Sequence, residues 1–129
     1  MSARAADPVI FIVDDDAAVR DSMRVLLESY GMMVEEFGST EEFVSTGRPQ
    51  PCSCMILDLH LPMVGGLDFL ASRPASSTNV PVILMTGRGD DATRARAYEL
   101  GVTAFLEKPI DESDLLKAIN VALDQQPCG

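Results

Sequence analysis

The sequence predicts a doubly wound α/β fold, in which helices cover both faces of a parallel β-sheet. Apolar runs of strand length recur along the chain, and strands without a polar face are typical of a sheet buried on both sides. Segments with apolar residues at helical spacing separate these runs, so strand and helix alternate five times as (βα)5. The 129 residues show no internal repeat and no long linker. We therefore expect one domain over residues 1–129, with its core at about 9–123.

The first unit carries the clearest pattern. Residues 9–13 are apolar throughout and are followed directly by three aspartates, residues 14–16. The next helix is predicted to have Asp16 as its N-cap and Gly31 just after its end. Its apolar residues fall at helical spacing: Val19, Met23, Leu26, Leu27 and Tyr30. A buried strand that ends in acids thus leads into an amphipathic helix.

The second and third units begin with strands over residues 32–37 and 55–57. Ser39 and Glu42 have the spacing of a capping box, which predicts the start of the second helix. The third strand delivers a single acid, Asp58, and a third helix follows it. Glycines and prolines mark the loops and helix ends of this region: Gly47, Pro62, Gly65, Gly66 and Pro74.

The fourth and fifth units have strands over residues 80–85 and 104–106. The helix over residues 90–100 has a thin apolar face, made of Ala92, Ala95 and Tyr98. So few large apolar residues predict weak docking and local mobility of this helix. The last helix has a fuller apolar face: Leu115, Leu116, Ile119 and Leu123.

Composition limits the classes of partner. The net charge of -10 argues against direct binding of nucleic acid, because phosphate contacts need clustered Lys and Arg side chains. No apolar stretch approaches the roughly 20 residues that span a bilayer, and residues 1–7 lack the apolar core of a signal peptide. We therefore expect a cytoplasmic protein without membrane contact. Three cysteines without a nearby second ligand pair predict ordinary reduced thiols: Cys52, Cys54 and Cys128.

Polar residues follow four of the predicted strands: Asp14, Asp15, Asp58, Thr86 and Lys108. The carboxyl ends of parallel strands meet at one edge of the sheet, so these side chains are expected to line one crevice. Clustered carboxylates repel one another unless they hold a cation, and an open, oxygen-rich pocket suits Mg²⁺. A metal ion and an ammonium around one carboxylate favour phosphoryl transfer, with Asp58 as the nucleophile that forms an acyl phosphate.

These motifs resemble the receiver domain of two-component response regulators, and the resemblance extends from about residue 9 to residue 123. Four stretches carry it: Val13-Asp14-Asp15-Asp16, Leu57-Asp58-Leu59-His60-Leu61-Pro62, Met85-Thr86-Gly87 and Glu107-Lys108-Pro109. Residues 37–43 and 86–90 are most similar to receivers of the nitrogen-fixation regulator (FixJ-like) subfamily. The resemblance implies a flavodoxin-like sheet of five parallel strands in the order 2-1-3-4-5.

The resemblance also implies roles for these residues. Asp58 would accept a phosphoryl group from a sensor histidine kinase, with Lys108 and Thr86 assisting. Three side chains and one backbone group would hold Mg²⁺: Asp14, Asp15, Asp58 and the main-chain carbonyl of His60. Thr86 and Phe105 would form a switch pair, and the peptide bond before Pro109 would be cis. Phosphorylation would then change the surface of the fourth helix, fifth strand and fifth helix, which would bind a partner or form a homodimer.

Several alternatives stay open at this point. Receivers of this subfamily precede a helix-turn-helix DNA-binding domain, so the chain is either the receiver part of a transcription regulator or a receiver that acts alone through protein contacts. Phosphohydrolases of the haloacid dehalogenase type also use an aspartate nucleophile and Mg²⁺, but they have a second Asp where this chain has His60. A flavodoxin-like FMN-binding protein would need a Ser/Thr-rich phosphate loop after the first strand, which this sequence lacks.

Overall fold

The computed structural model describes residues 8–46, 52–61, 65–72 and 80–124. Within them, the chain alternates five strands and five helices. The strands are β1 (Val9–Val13), β2 (Met33–Phe37), β3 (Ser53–Asp58), β4 (Val82–Thr86) and β5 (Ala104–Glu107). The helices are α1 (Ala17–Ser29), α2 (Thr40–Thr46), α3 (Gly66–Ser72), α4 (Asp91–Glu99) and α5 (Glu112–Asp124). All paired strands are parallel in the order β2-β1-β3-β4-β5, which confirms the predicted fold and strand order.

The sheet separates two apolar layers, because successive side chains of a strand point to opposite faces. Phe11 and Leu57 lie in one layer with residues of α2, α3 and α4. Ile12 and Ile56 lie in the other with residues of α1 and α5. The three central strands, β1, β3 and β4, are therefore buried along their whole length, which explains why their sequences read as uninterrupted apolar runs.

An aromatic group closes the first layer next to the edge strand β2. The Phe43 ring lies 5.3 Å from the ring centroids of both Phe11 and Phe37, and 6.2 Å from that of Phe69. These rings meet edge to face, an arrangement that adds about 0.5 to 1.5 kcal/mol per pair beyond the burial of apolar area. This packing joins α2 and α3 to the sheet.

The predicted limits of α1 are confirmed, whereas the predicted place of Tyr30 is wrong. The Asp16 side chain accepts hydrogen bonds from the backbone N–H groups of Ala18 and Val19, and Gly31 has a φ of 83° just after the helix. Tyr30 does not join the apolar face. Its ring is about half exposed, and its hydroxyl donates to Glu112 Oε2 at 2.8 Å.

The apolar face predicted for α4 is also wrong. Ala92, Ala95 and Tyr98 are exposed, and the helix buries Ala97, with Leu100 packed beside it. Ala97 and Leu100 are three positions apart and so share one face of the helix, which is the face that meets the sheet. The large aromatic ring of Tyr98 dominated the sequence pattern but lies off this face. The expectation of few anchoring residues is nevertheless confirmed, because Ala97 is the single buried residue of α4.

The prediction of reduced thiols is wrong for Cys52, which is disulfide-bonded. Cys54 is free and fully buried in β3, where burial raises the pKa of its thiol to about 12. Whether two cysteines pair depends on the distance between their Cβ atoms, which an odd cysteine count cannot reveal. Several sequence predictions lie outside the described residues: those on Gly47, Pro62, Pro74 and Cys128.

Candidate functional site

The carboxyl ends of β1, β3, β4 and β5 bring the predicted site residues together. The parallel register aligns Val13 with Leu57 and Asp58 with Met85, so neighbouring strands end side by side. Asp58 is the last residue of β3, and Thr86 is the last residue of β4. The crevice beyond these strand ends is where open α/β sheets bind ligands.

Three carboxylates form the acidic part of the site. Asp14, Asp15 and Asp58 each offer an oxygen, and these oxygens lie within 4.8 Å of one another. Asp14 is fully buried and Asp58 nearly so, whereas Asp15 is exposed. Such a set of hard oxygen ligands, open to solvent on one side, fits the ligand preferences of Mg²⁺.

Burial raises the pKa of the Asp14 carboxyl above its ordinary value of 3.8. A hydrogen bond from the Asp16 backbone N–H opposes this rise, the negative charge of Asp58 adds to it, and the ammonium of Lys108 lowers the pKa again. Because the pKa is raised overall, the hydrogen bond from Asp16 and the ammonium of Lys108 do not fully offset the cost of burying the ionised Asp14 carboxylate. A bound cation would supply the missing compensation.

Lys108 lies between the two buried carboxylates. Its Nζ atom is 3.5 Å from Asp14 Oδ2 and 3.6 Å from Asp58 Oδ2. The Lys108 backbone N–H donates to the Thr86 carbonyl at 2.7 Å, and the Lys108–Pro109 peptide bond is cis, as the resemblance implied. The ammonium therefore lies beside both buried carboxylates.

Backbone hydrogen bonds orient the two buried acids. The His60 N–H donates to Asp58 Oδ1 at 3.1 Å, and the Asp16 N–H donates to Asp14 Oδ1 at 2.9 Å, so both carboxylates cap their own following turns. Arg20 on α1 donates to the Asp14 carbonyl and forms an ion pair with Glu36 on β2. Arg20 was not predictable as a site residue from the sequence, because its partners are brought to it only by the packing of α1 on β2.

The Thr86 hydroxyl has a partner that the sequence did not predict. Thr86 is fully buried, and its Oγ1 lies 3.0 Å from Nε2 of His60. The Thr86 hydroxyl also accepts a hydrogen bond from the Arg88 backbone N–H at 3.1 Å and donates one to the Arg88 carbonyl at 3.0 Å. From the sequence, the His60 imidazole is expected to be a partly exposed loop side chain more often than a metal ligand or a titrating modulator. The structure instead places it against Thr86.

Phe105, the other predicted switch residue, is buried in β5. Its ring packs against Gly89, where a Cβ atom would lie only 2.6 Å from Phe105 Cε2. The guanidinium of Arg94 on α4 lies 5.0 Å from the ring centroid and also 3.8 Å from Glu107. The Phe105 ring thus contacts both the loop that follows Thr86 and the weakly anchored helix α4.

A family model for the response regulator receiver domain matches residues 10–120, which is most of the chain and all of the site. The chain belongs to this receiver domain family. The phosphohydrolase and flavin-binding interpretations are thereby set aside, and the expected resemblance to FixJ-like receivers is confirmed. Homologues of this family act as response regulators of two-component systems.

Related proteins place this chain among FixJ-like receiver domains. It is 37% identical over 114 residues to the transcriptional regulatory protein FixJ of Azorhizobium caulinodans, covering 88% of this chain and 54% of FixJ. It is also 37% identical over 127 residues to the response regulator protein TodT of Pseudomonas putida, covering 98% and 55% of the two chains. The chain therefore spans about half the length of the curated relatives it matches.

Solved structures agree with this placement. The response regulator StyR superposes with a TM-score of 0.84 at 36% identity, over 94% of this chain and 61% of the StyR chain. Full-length FixJ from B. japonicum superposes with a TM-score of 0.81 at 34% identity, over 91% and 58%. None of the helices in the described part of the receiver domain is long and apolar enough to cross a membrane.

Proposed function

We propose that this receiver domain accepts a phosphoryl group on Asp58 from a sensor histidine kinase, in a reaction that depends on Mg²⁺. The observation that carries the proposal is the position of Lys108, whose Nζ lies 3.5 Å from Asp14 and 3.6 Å from Asp58. An ammonium and a carboxylate cluster around one nearly buried aspartate provide positive charge where phosphoryl oxygens would gain negative charge.

The transfer itself needs little covalent chemistry from the protein. One Asp58 carboxylate oxygen attacks the phosphorus of a phosphohistidine, the O–P bond forms, and the P–N bond breaks with its electron pair returning to the imidazole of the kinase. Lys108 stabilises charge on a phosphoryl oxygen, and the Thr86 hydroxyl donates to another. The His60 backbone N–H orients the nucleophile through Asp58 Oδ1.

Four groups would hold the metal ion: Asp14, Asp15, Asp58 and the main-chain carbonyl of His60. When bound, Mg²⁺ supplies charge neutralisation for the phosphoryl oxygens. The raised pKa of Asp14 supports this assignment, since an uncompensated buried carboxylate gains most from a nearby cation.

The output is proposed to arise from the surface of α4, β5 and α5. Movement of Thr86 toward the phosphoryl group shifts the loop at Gly89 and the Phe105 ring that packs on it. α4 responds because it has few anchors and its Arg94 lies on that ring. The changed surface then binds a partner or a second copy of the receiver. Relatives named as transcriptional regulators support transcription control, through a DNA-binding domain outside this chain, as the end result.

Intact-mass measurement with acetyl phosphate tests the acceptor. The wild-type chain is expected to gain one phosphoryl group when Mg²⁺ is present, and none when a chelator replaces it. Asp58→Asn should not be phosphorylated, whereas Asp21→Asn, which removes an exposed carboxylate of α1, should behave as wild type. Phosphorylation of Asp58→Asn to the wild-type extent would contradict the proposal.

Replacement of Lys108 separates phosphoryl transfer to Asp58 from the surface change that follows it. Lys108→Ala leaves Asp14 and Asp58 without their shared ammonium, so it should weaken the surface change that follows phosphorylation while the protein stays folded. Amide NMR spectra of β5 and α4, recorded with beryllofluoride as the phosphoryl mimic, measure this change. A wild-type spectral response in Lys108→Ala would show that the assigned role is wrong.

A further inference from the structure

The imidazole of His60 contacts the hydroxyl of Thr86 across the site. Nε2 lies 3.0 Å from Thr86 Oγ1, a normal hydrogen-bond distance. His60 is exposed, whereas Thr86 is fully buried. A solvent-accessible side chain therefore reaches into the site and touches the group proposed to bind phosphoryl oxygen.

Three groups lie within hydrogen-bond distance of Thr86 Oγ1: the Arg88 N–H, the Arg88 carbonyl and Nε2 of His60. Because a hydroxyl can donate only once, the roles of these groups can be assigned. The Arg88 N–H donates to it, and the hydroxyl proton is directed at the Arg88 carbonyl. A hydroxyl has one proton and two lone pairs, so all three contacts are hydrogen bonds at once only if His60 donates from Nε2. The hydroxyl is then saturated by groups that do not belong to Asp58.

We propose that His60 is a positioning residue whose hydrogen bond to Thr86, here called the latch, holds Thr86 in its resting position. The latch raises the concentration of phosphoryl donor or mimic that is needed for switching. The latch rests on the proposed function, in which Thr86 turns its proton to a phosphoryl oxygen on Asp58. When the Thr86 side chain moves toward that oxygen, its hydroxyl leaves its present partners, so every hydrogen bond that holds it opposes the switch. His60 supplies one of these bonds from a side chain that substitution can remove.

Substitution of the imidazole leaves the backbone contact of His60 intact. The His60 N–H donates to Asp58 Oδ1, and any residue other than proline retains that donor. His60→Leu therefore deletes the bond to Thr86 without removing the bond that orients Asp58. His60→Gln restores an N–H donor on a flexible side chain and serves as the conservative rescue.

Titration with beryllofluoride in saturating Mg²⁺, followed by the amide signals of Gly87 and Gly89, gives the midpoint of the switch for each variant. His60→Leu is expected to lower this midpoint about fivefold, the equivalent of about 1 kcal/mol for one hydrogen bond. His60→Gln should stay within about twofold of wild type. The same His60→Leu change in a Thr86→Val background should not shift the midpoint, because the group it acts through is gone.

Nitrogen NMR of the imidazole shows which ring nitrogen of His60 carries the proton. A His60 that only filled space would show no dependence of this tautomer on Thr86. His60 is the only histidine in the chain, so one ring accounts for all the signals. In the resting protein, the neutral His60 ring should carry its proton on Nε2, the atom that donates to Thr86. That preference should weaken in Thr86→Val.

The outcomes separate the latch from the function on which it rests. No spectral response of wild type to beryllofluoride would overturn both. A wild-type response combined with an unchanged midpoint in His60→Leu would overturn the latch alone. So would a midpoint shift that persists in Thr86→Val, or a resting tautomer with the proton on Nδ1.

Discussion

Gly66 illustrates how closely the chain packs beneath Asp58. A Cβ atom there would lie 2.9 Å from both the Asp58 carbonyl oxygen and Leu59 Cα, and these backbone atoms belong to the strand end that presents the carboxylate. The Gly66 N–H also donates to the Leu59 carbonyl at 2.9 Å. Only a residue without a side chain fits here, because neither partner can move without displacing Asp58.

Gly66→Ala should therefore destabilise the protein by about 1 to 3 kcal/mol, the usual cost of overpacking. Urea unfolding measures the loss. Gly65→Ala is the matched control, since the nearest atom to its Cβ would be at an ordinary 3.6 Å. Equal stability of the two variants would contradict the close packing at Gly66.

The pKa of Asp14 makes a second prediction for a single residue. Because its pKa is raised in the folded state, Asp14 contributes stability below its unfolded value of 3.8, and that contribution is lost as the pH rises through the folded value. At pH 7 the ionised carboxylate therefore opposes folding. Asp14→Asn should raise the free energy of unfolding at pH 7 without Mg²⁺, and this gain should shrink toward pH 3.

Unfolding of both proteins in urea at several pH values, with a chelator present, tests this prediction. Asp21→Asn serves as the control, since it removes an exposed acid of α1. A less stable Asp14→Asn at pH 7 would mean that Lys108 and the Asp16 N–H already compensate the charge fully.

At the scale of elements, α4 and α5 differ in how they are held. α4 buries Ala97 alone, whereas α5 buries five residues: Leu115, Ala118, Ile119, Ala122 and Leu123. A helix with fewer buried apolar contacts opens at lower free energy. This contrast gives the proposed switch a segment that can move while the rest of the sheet and α5 remain in place.

Amide hydrogen exchange should show this contrast directly. We expect the amides in the middle of α4 to exchange at least about tenfold faster than those in the middle of α5, since one buried Leu or Ile alone contributes about 1.5 kcal/mol or more. The measurement is native-state exchange followed by NMR at constant pH. Equal protection of the two helices would contradict weak docking of α4.

The contact between Gly89 and Phe105 provides a test of the coupling between elements. A Cβ at Gly89 would lie 2.6 Å and 2.8 Å from two Phe105 ring atoms, so Gly89→Ala should push the ring out of its present position. Chemical shifts of the Phe105 ring and of α4 amides should change together in the unphosphorylated protein. An unchanged Phe105 ring would show that the loop moves instead.

At the scale of the whole molecule, the net charge of -10 and the three converging carboxylates favour cation binding. A ligand that binds only the folded state stabilises it by mass action. Mg²⁺ at ten times its dissociation constant should therefore add about 1.4 kcal/mol to the free energy of unfolding.

Thermal unfolding in MgCl₂ and in NaCl of matched ionic strength measures the specific part of this effect. Asp15→Asn should remove most of it, because this exposed acid belongs to the carboxylate cluster that would hold the ion but not to the core. Equal stabilisation by the two salts would indicate general screening in place of a metal site.

Much of this protein follows from local sequence patterns. Uninterrupted apolar runs predict buried parallel strands, and the residues that end those runs must meet at one sheet edge. Asp14, Asp58 and Thr86 can therefore be grouped from the sequence alone. The Asp16 cap was equally predictable, since it depends only on residues two and three positions away.

Tertiary structure alone decided the contacts between distant segments. The His60 imidazole reaches Thr86, α4 docks through Ala97, and Cys52 is disulfide-bonded, although no local pattern marks any of these. Periodicity determines which residues can share a face, but distances between elements arise only when their side chains pack. For this reason the sequence identified the members of the site, and the packed structure determined which partner holds the Thr86 hydroxyl.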